Sequence, residues 1–457
     1  MLSIEQSCYW LAQRTPRDPM PLESRRDAEV AIVGAGLTGL WTALFLKGLD
    51  PGVEVAVVEQ GMAAYGASGR NAGMLSETLD HSHGLAIEHF GGDEARRLAQ
   101  LGQANVTELV EFLDHRNIQC DYQPSGRLMV ALTNPQVEEA GRTVELARRL
   151  GLDSFRLLDR EGVRAQLDCA LYLGGVWVTG GGILDPVKLV DGLRVEAERI
   201  GIRVYEESRV QAVERAGAGV RVRTAAGRIE ARRAVLATSA YTHHLLPGTA
   251  RRFIPLYDYI LVSDPLTAGQ REMIGWRRRQ GVTDGRTFFN YYRLTADDRI
   301  LWGTSEATYY RGNRVDPSCD HSPAHYAALR RSFRRHFPAL HSLEFPYAWE
   351  ERSAPPPGSL HSSAVRSAAE CSTAWGTPAM AWVPPGWPAG AAALAGGCGS
   401  DTGAAESGPG KTTGNDAAPA RPVGNRVFEL RRGEGPTPPP SSTPRPAPPA
   451  RSSRRPR

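Results

Sequence analysis

Cysteine is scarce and scattered. The six residues, Cys8, Cys120, Cys169, Cys319, Cys371 and Cys398, form no C-x-x-C pair. That spacing gives no zinc or other metal site and no disulfide framework, so a reducing, cytoplasmic setting is expected. The chain also lacks an uninterrupted apolar stretch long enough to span a bilayer, and its first 21 residues hold no basic region followed by an apolar run. A soluble protein with no membrane partner is expected. An excess of one charge is missing from most of the length as well. From Glu350 onward twelve Lys and Arg stand against eight Asp and Glu, which leaves residues 1–349 formally neutral. Nothing there suggests a nucleic-acid surface. At 457 residues the chain has room for two or three domains' worth of core.

What is present is a dinucleotide-binding pattern. An apolar strand, residues 28–33, runs into Gly34-Ala35-Gly36-Leu37-Thr38-Gly39, a helical stretch follows, and a second apolar run, 53–58, ends at Glu59. Gly34 permits the tight turn, Gly36 lets backbone N–H groups approach a pyrophosphate, and Gly39 lets helix pack on strand. The phosphate then sits at a helix N-terminus, where unpaired N–H groups favour an anion. Glu59 is placed to accept from a ribose hydroxyl, which argues against a 2′-phosphate. FAD or NAD is expected rather than NADP; a plain βαβ turn is the alternative.

A second glycine-rich loop, residues 66–73, carries Ser68, Arg70 and Asn71 and suits phosphate or flavin contacts. Apolar spacing predicts a helix over 94–115, a buried strand over 126–132, and helices over 137–150 and 159–167. Asp185 and Pro186 read as N-cap and first residue of a helix over 187–200. A small meander follows, then a strand over 234–238, which describes an FAD-type crossover rather than simple repeating βα units. From residue 252 a second β-rich section begins. Its tyrosines, Tyr257, Tyr259 and Tyr291, are candidates for an amine pocket through cation–π and hydroxyl contacts, although strand aromatics also serve as core. Arg293, and Arg70 again, are candidates to hold a substrate carboxylate.

Cys8-Tyr9-Trp10, the glycine fingerprint, and residues 66–73, 181–193, 237–241, 254–266 and 292–303 together resemble the FAD-dependent oxidoreductases of the D-amino-acid oxidase superfamily, of the gamma-glutamylputrescine oxidoreductase type. The resemblance covers nearly all of residues 1–349. It implies an α/β fold: a discontinuous FAD-binding, Rossmann-like domain (27–78 and 170–250), a β-rich substrate domain (79–169 and 251–349), and an N-terminal extension (1–26). It also implies FAD as cofactor, and oxidation of the C–N bond of an amine or amino acid to an imine by hydride transfer to flavin N5, with oxygen or another acceptor reoxidising the flavin. In the resemblance Gly34, Gly36, Gly39 and Glu59 match the ADP-binding positions, and Ser68, Arg70 and Asn71 the loop running toward the flavin. No residue announces itself as a catalytic base. His81 and His83 follow that loop and could approach the flavin ring, the other reading being two surface histidines. An NAD(P)H-using flavoprotein reductase or monooxygenase is the runner-up, against which no second glycine triplet follows a strand in mid-chain.

The family pattern reaches Trp349 and stops; beyond it the chain is Pro-, Gly-, Ala- and Arg-rich without periodicity. If one base is lost after the Trp349 codon, each original codon is the third base of one residue plus the first two of the next. Trp349 followed by Glu350 then forces glycine. So do Trp375 with Gly376, Met380 with Ala381, and Trp382 with Val383, and the shifted frame permits G-Y-T-G-H-G, the kind of loop with which the family closes its FAD domain. Residues 350–457 are therefore expected to be a frameshifted, disordered tail that buries too little apolar surface to order. On that reading an open sheet edge is left on the FAD domain, and an inactive truncated product is a further alternative.

Overall fold

The strand Arg25–Val33 begins charged and exposed and ends in four buried residues, so it enters the core as it runs. The first sheet of the computed structural model, which describes residues 3–77, 82–251 and 253–353, is built around it. Its order is Arg203–Tyr205, Val55–Val58, Arg25–Val33, Arg228–Leu236, Gly219–Arg223, Ala212–Ala216. The first four strands are parallel and the last two antiparallel. Val55–Val58 is an all-buried apolar run, as a strand covered on both faces must be. The helices Leu37–Leu49 and Pro186–Arg199 pack their apolar faces into the same core. Asp185 caps the second of them, accepting from Val187 N at 2.9 Å and Lys188 N at 3.0 Å, with Pro186 at its first position. Arg228–Leu236 pairs with Gly219–Arg223 only as far as Ala231. From Ala231 on, it pairs with Arg25–Val33.

The second sheet has eight strands in the order Tyr347–Ser353, Leu256–Pro265, Arg299–Thr308, Asn290–Leu294, Gly281–Asp284, Arg127–Ala131, Gly174–Val178, Phe155–Asp159. Alternation sorts its residues between two cores. Tyr257, Tyr259, Leu261, Tyr292 and Trp302 face the helix Pro323–His336, while Ile260, Val262, Tyr291, Leu301 and Trp349 face the first domain. Gly174–Val178, expected in the FAD domain, belongs here instead. Its five buried residues pair on both sides, with Arg127–Ala131 and Phe155–Asp159. A two-stranded ribbon, Met74–Leu75 with Gly182–Ile183, joins the loop 66–73 to the Pro186–Arg199 helix.

At the two ends, the N-terminal extension joins the core and the start of the expected tail needs correction. The N-terminal residues pack as core: Cys8, Tyr9 and Trp10 are buried, and Trp10 Nε1 donates to Asn71 O at 2.9 Å. The tail does not begin at residue 350. Tyr347–Ser353 is one strand, paired with Leu256–Pro265 up to Leu256 opposite Ser353, and Glu350 and Arg352 are buried in it. Their charges are matched there by Arg70 and Asp320, which is why the strand can carry them inward. The remainder of the expected tail, 354–457, lies outside the described residues. In the helical stretch His83–His115, Gly91, at φ 80° and ψ 167°, separates two helices, and the second matches the one expected over 94–115.

Candidate functional site

The turn after Arg25–Val33 is shaped by what glycine leaves out. Gly34 sits at φ 109°, and a Cβ there would lie 2.5 Å from Ala237 O. A Cβ on Gly39 would collide with the carbonyl of Gly34, so helix and strand touch backbone to backbone. Gly36 is the N-cap of Leu37–Leu49 and brings no cap of its own; a Cβ on it would sit 2.7 Å from Ser68 Oγ, which accepts from Leu37 N at 3.0 Å. Glu59 braces the turn. Its Oε2 accepts from Ala35 N at 2.8 Å and its Oε1 from Gln60 N at 2.9 Å. Burial raises its pKa, and those same bonds pull the other way.

These residues open on one cleft of about 420 Å³, lined by Gly34, Gly36, Thr38, Glu59, Tyr65, Ser68, Arg209, Gln211, Thr238, Tyr241 and His244. It lies at the carboxyl ends of the parallel strands, where α/β sheets bind ligands. A glycine turn, a helix N-terminus without its own cap and an acid beyond the second strand fit the ADP half of FAD. The cleft's other wall, Arg209 to Gln211 and Thr238 to His244, was not singled out as binding from the sequence. Its signal was there: residues 237–241 end the strand that lies beside Arg25–Val33.

Arg70 and Asn71 turn inward rather than toward the cleft. Asn71 Nδ2 donates to Ala67 O and Ser68 O, both at 3.1 Å, and its Oδ1 accepts from Gly73 N at 2.9 Å. Arg70 is completely buried, donates from Nε to Tyr65 O at 2.8 Å and pairs with Glu350. Burial would raise the Glu350 carboxyl, but Arg70 and Arg352 outweigh it and hold it low. Asp320, beside them, is pushed up to about 7 by burial and by Glu350.

The four substrate candidates do not converge. Tyr257 and Tyr259 point to the helix side, where Tyr257 donates to Arg314 O at 2.8 Å and Tyr259 meets Tyr310 OH at 2.6 Å. Tyr291 lies on the opposite face with its ring over Gly303. Arg293 shares that face and is a staple: its Nη1 donates to Gly73 O at 2.8 Å and Leu184 O at 2.6 Å. His83 is not a surface residue but is buried against Phe155, the ring centroids 5.2 Å apart; His81 lies outside the described residues.

The family profile described as FAD dependent oxidoreductase matches residues 29–366. Among curated proteins, the chain is 30% identical over 347 residues to the gamma-glutamylputrescine oxidoreductase of Escherichia coli (strain K12), covering 75% of this chain and 78% of that protein. It is 26% identical over 337 residues to the probable oxidoreductase OrdL of Haemophilus influenzae, covering 72% of this chain and 74% of that one. Solved structures of similar fold include L-proline dehydrogenase from P. horikoshii (TM-score 0.60, 18% identity, 79% of this chain and 92% of that one). Glycine oxidase from Geobacillus kaustophilus is another (TM-score 0.60, 20% identity, 73% and 84%).

Proposed function

This chain belongs to the family of FAD-dependent oxidoreductases, and from that premise we propose that it oxidises the C–N bond of a small amine or amino acid to an imine. FAD, when bound, supplies the hydride acceptor at flavin N5, and the imine is then hydrolysed by water. The chain's own residues bind and orient. Gly34 and Gly36 clear the turn for a pyrophosphate, and the N-terminus of Leu37–Leu49 favours its charge. Glu59 takes the ribose hydroxyls. Arg70 and Asn71 act by stiffening the loop 66–73 along the cofactor, and Ser68 holds that loop against the helix N-terminus.

The observation that carries the reading is that the glycine turn, the helix N-terminus and Glu59 share one cleft at the strand ends. The relatives' names, which concern gamma-glutamylputrescine, glycine and L-proline, support an amine or amino acid as hydride donor. Oxygen or another acceptor closes the cycle, and the scattered cysteines, buried where described, support a reducing, cytoplasmic setting. The test is to load the chain with FAD and mix it without oxygen against a panel of amines, amino acids and NADPH. Bleaching of the flavin band by an amine or amino acid is expected. Bleaching by NADPH alone would overturn the reading.

A further inference from the structure

Ionised side chains from three parts of the chain meet behind one wall of the dinucleotide cleft. Glu350 and Arg352 come from the strand Tyr347–Ser353, Arg70 from the loop 66–73, and Asp320 from the end of the short turn Pro317–Cys319. Arg70 and Glu350 are completely buried and Arg352 nearly so. Arg70 pairs with Glu350, and its Nη1 lies 3.9 Å from Asp320 Oδ2. Arg352 is the member that lines the cleft. It stands there beside Tyr241, its guanidinium 5.6 Å from the centre of that ring and 5.4 Å from the centre of the Tyr257 ring.

Two carboxylates share one nitrogen of Arg352, because its Nη2 donates to both Glu350 and Asp320. The acids are therefore held beside each other as well as beside the cation, and like charges that close, with little water between them, have their pKa values driven apart. Their surroundings decide which way each goes. Glu350 is the deeper and faces both arginines, which hold it low against its burial. Asp320 is half-buried, and burial first, then Glu350, push it up to about 7. The pair thus takes one proton near neutral pH, held on Asp320.

The other groups packed around Asp320 keep their charge there. Tyr326 donates to the Asp320 carbonyl at 3.2 Å, and burial pushes the phenols of Tyr326, Tyr241 and Tyr257 up, so all are neutral. Asp316, at the start of the same turn, is held low by its bond to Ser318. His321 turns its ring to Tyr326, 5.0 Å away. With both acids of the pair ionised, two cations balance two anions; with the proton aboard, the cluster carries a net positive charge next to the cleft.

We propose that Asp320 and Glu350 form a proton-sharing pair that sets the charge of the cleft wall through Arg352, so that uptake of one proton tightens the hold on an anionic dinucleotide. The coupling is electrostatic and reciprocal: the proton favours the pyrophosphate, and the bound pyrophosphate draws the proton onto Asp320. This rests on the flavin reading of the cleft given above.

The test titrates FAD, whose pyrophosphate stays ionised throughout, into the full chain at pH 6 and pH 8 at one ionic strength, following flavin fluorescence. Binding tighter by about threefold or more at pH 6 is expected. Asp320→Asn is neutral at both pH values, and is expected to bind at pH 8 nearly as tightly as the unsubstituted chain does at pH 6. His321→Gln is expected to keep the full dependence. Glu59 and His244, which also line the cleft, would leave any dependence of their own intact in Asp320→Asn. Weaker or equal binding at pH 6, an unaltered dependence in Asp320→Asn, or its loss in His321→Gln overturns the proposal. Should Asp320→Asn fail to fold, calorimetry of FAD binding to the unsubstituted chain at pH 7, in buffers of different ionisation heat, decides: proton uptake is expected, and none overturns it. No FAD binding at either pH overturns the flavin reading and this proposal together, whereas FAD binding whose pH dependence survives in Asp320→Asn overturns this proposal alone.

Discussion

The turn at residues 34–39 and the aromatic strands of the second sheet are opposite kinds of construction. The turn is backbone against backbone, with side chains removed, and its polar groups open on a cleft. In the aromatic strands, hydroxyls and guanidinium are spent on protein partners: Tyr257 on Arg314, Tyr259 on Tyr310, Tyr172 on Tyr292 at 2.5 Å, Arg293 on two carbonyls. The contrast teaches that polar residue type alone does not mark a site; what marks it is whether the polar groups are already satisfied. By that measure the cleft at the dinucleotide turn stands apart from the aromatic strands, whose tyrosines point into the two cores.

The contrast breaks most easily at Gly39. Gly39→Val drives a branched side chain into the Gly34 carbonyl, so a loss of about 3 kcal/mol or more is expected, read as a fall in urea midpoint together with loss of FAD. If Arg293 is a staple, Arg293→Met should cost nearly as much, about 2–3 kcal/mol, by leaving the Leu184 carbonyl without this donor and the Gly73 carbonyl with Leu184 N. Unchanged stability with a raised substrate KM would return Arg293 to the pocket.

A comparable effect follows from His83 through pH. Its folded pKa, about 4, lies below the ordinary value of 6.5, so between those values the unfolded chain binds the proton and the folded chain does not. Stability therefore falls as pH drops from 6.5 toward 4, by about 2–3 kcal/mol for this residue. Burial is the larger cause of that shift, and the Arg127 charge adds to it. Urea midpoints at pH 7 and 4.5 should converge in His83→Gln; equal pH dependence in both proteins would place His83 in solvent. The smallest effect is at Tyr259. Tyr259→Phe is expected to cost about 1 kcal/mol of stability and to leave KM alone, checked by steady-state kinetics on whichever amine the panel yields.

Much of the fold was legible because its signals are local. Gly34, Gly36 and Gly39 lie within one turn and one helix start, and Asp185-Pro186 announces its helix within two residues. The second sheet was legible as β-structure but not as a site. Which face Tyr257 and Tyr291 share depends on register between strands far apart in sequence, and Tyr257 and Tyr291 came out on opposite faces. Gly174–Val178 was assigned to the wrong sheet for the same reason: five buried apolar residues fit either. Arg70 was legible as a functional type of residue but not as one spent on Glu350, a partner 280 positions away. The shifted-frame reading of residues 350 onward belongs to the gene rather than the fold. Sequencing the source DNA across the Trp349 codon tests it, and one extra G there is the expected result.

The central claim is that the cleft at the glycine turn holds the flavin. It is tested most directly by titrating FAD into the chain and into Gly36→Val, whose side chain would displace Ser68 from the helix N-terminus, following flavin fluorescence while circular dichroism confirms that both are folded. The account predicts saturation at one FAD per chain and a loss of affinity of a hundredfold or more in the variant. Equal affinity in the two folded proteins would contradict it.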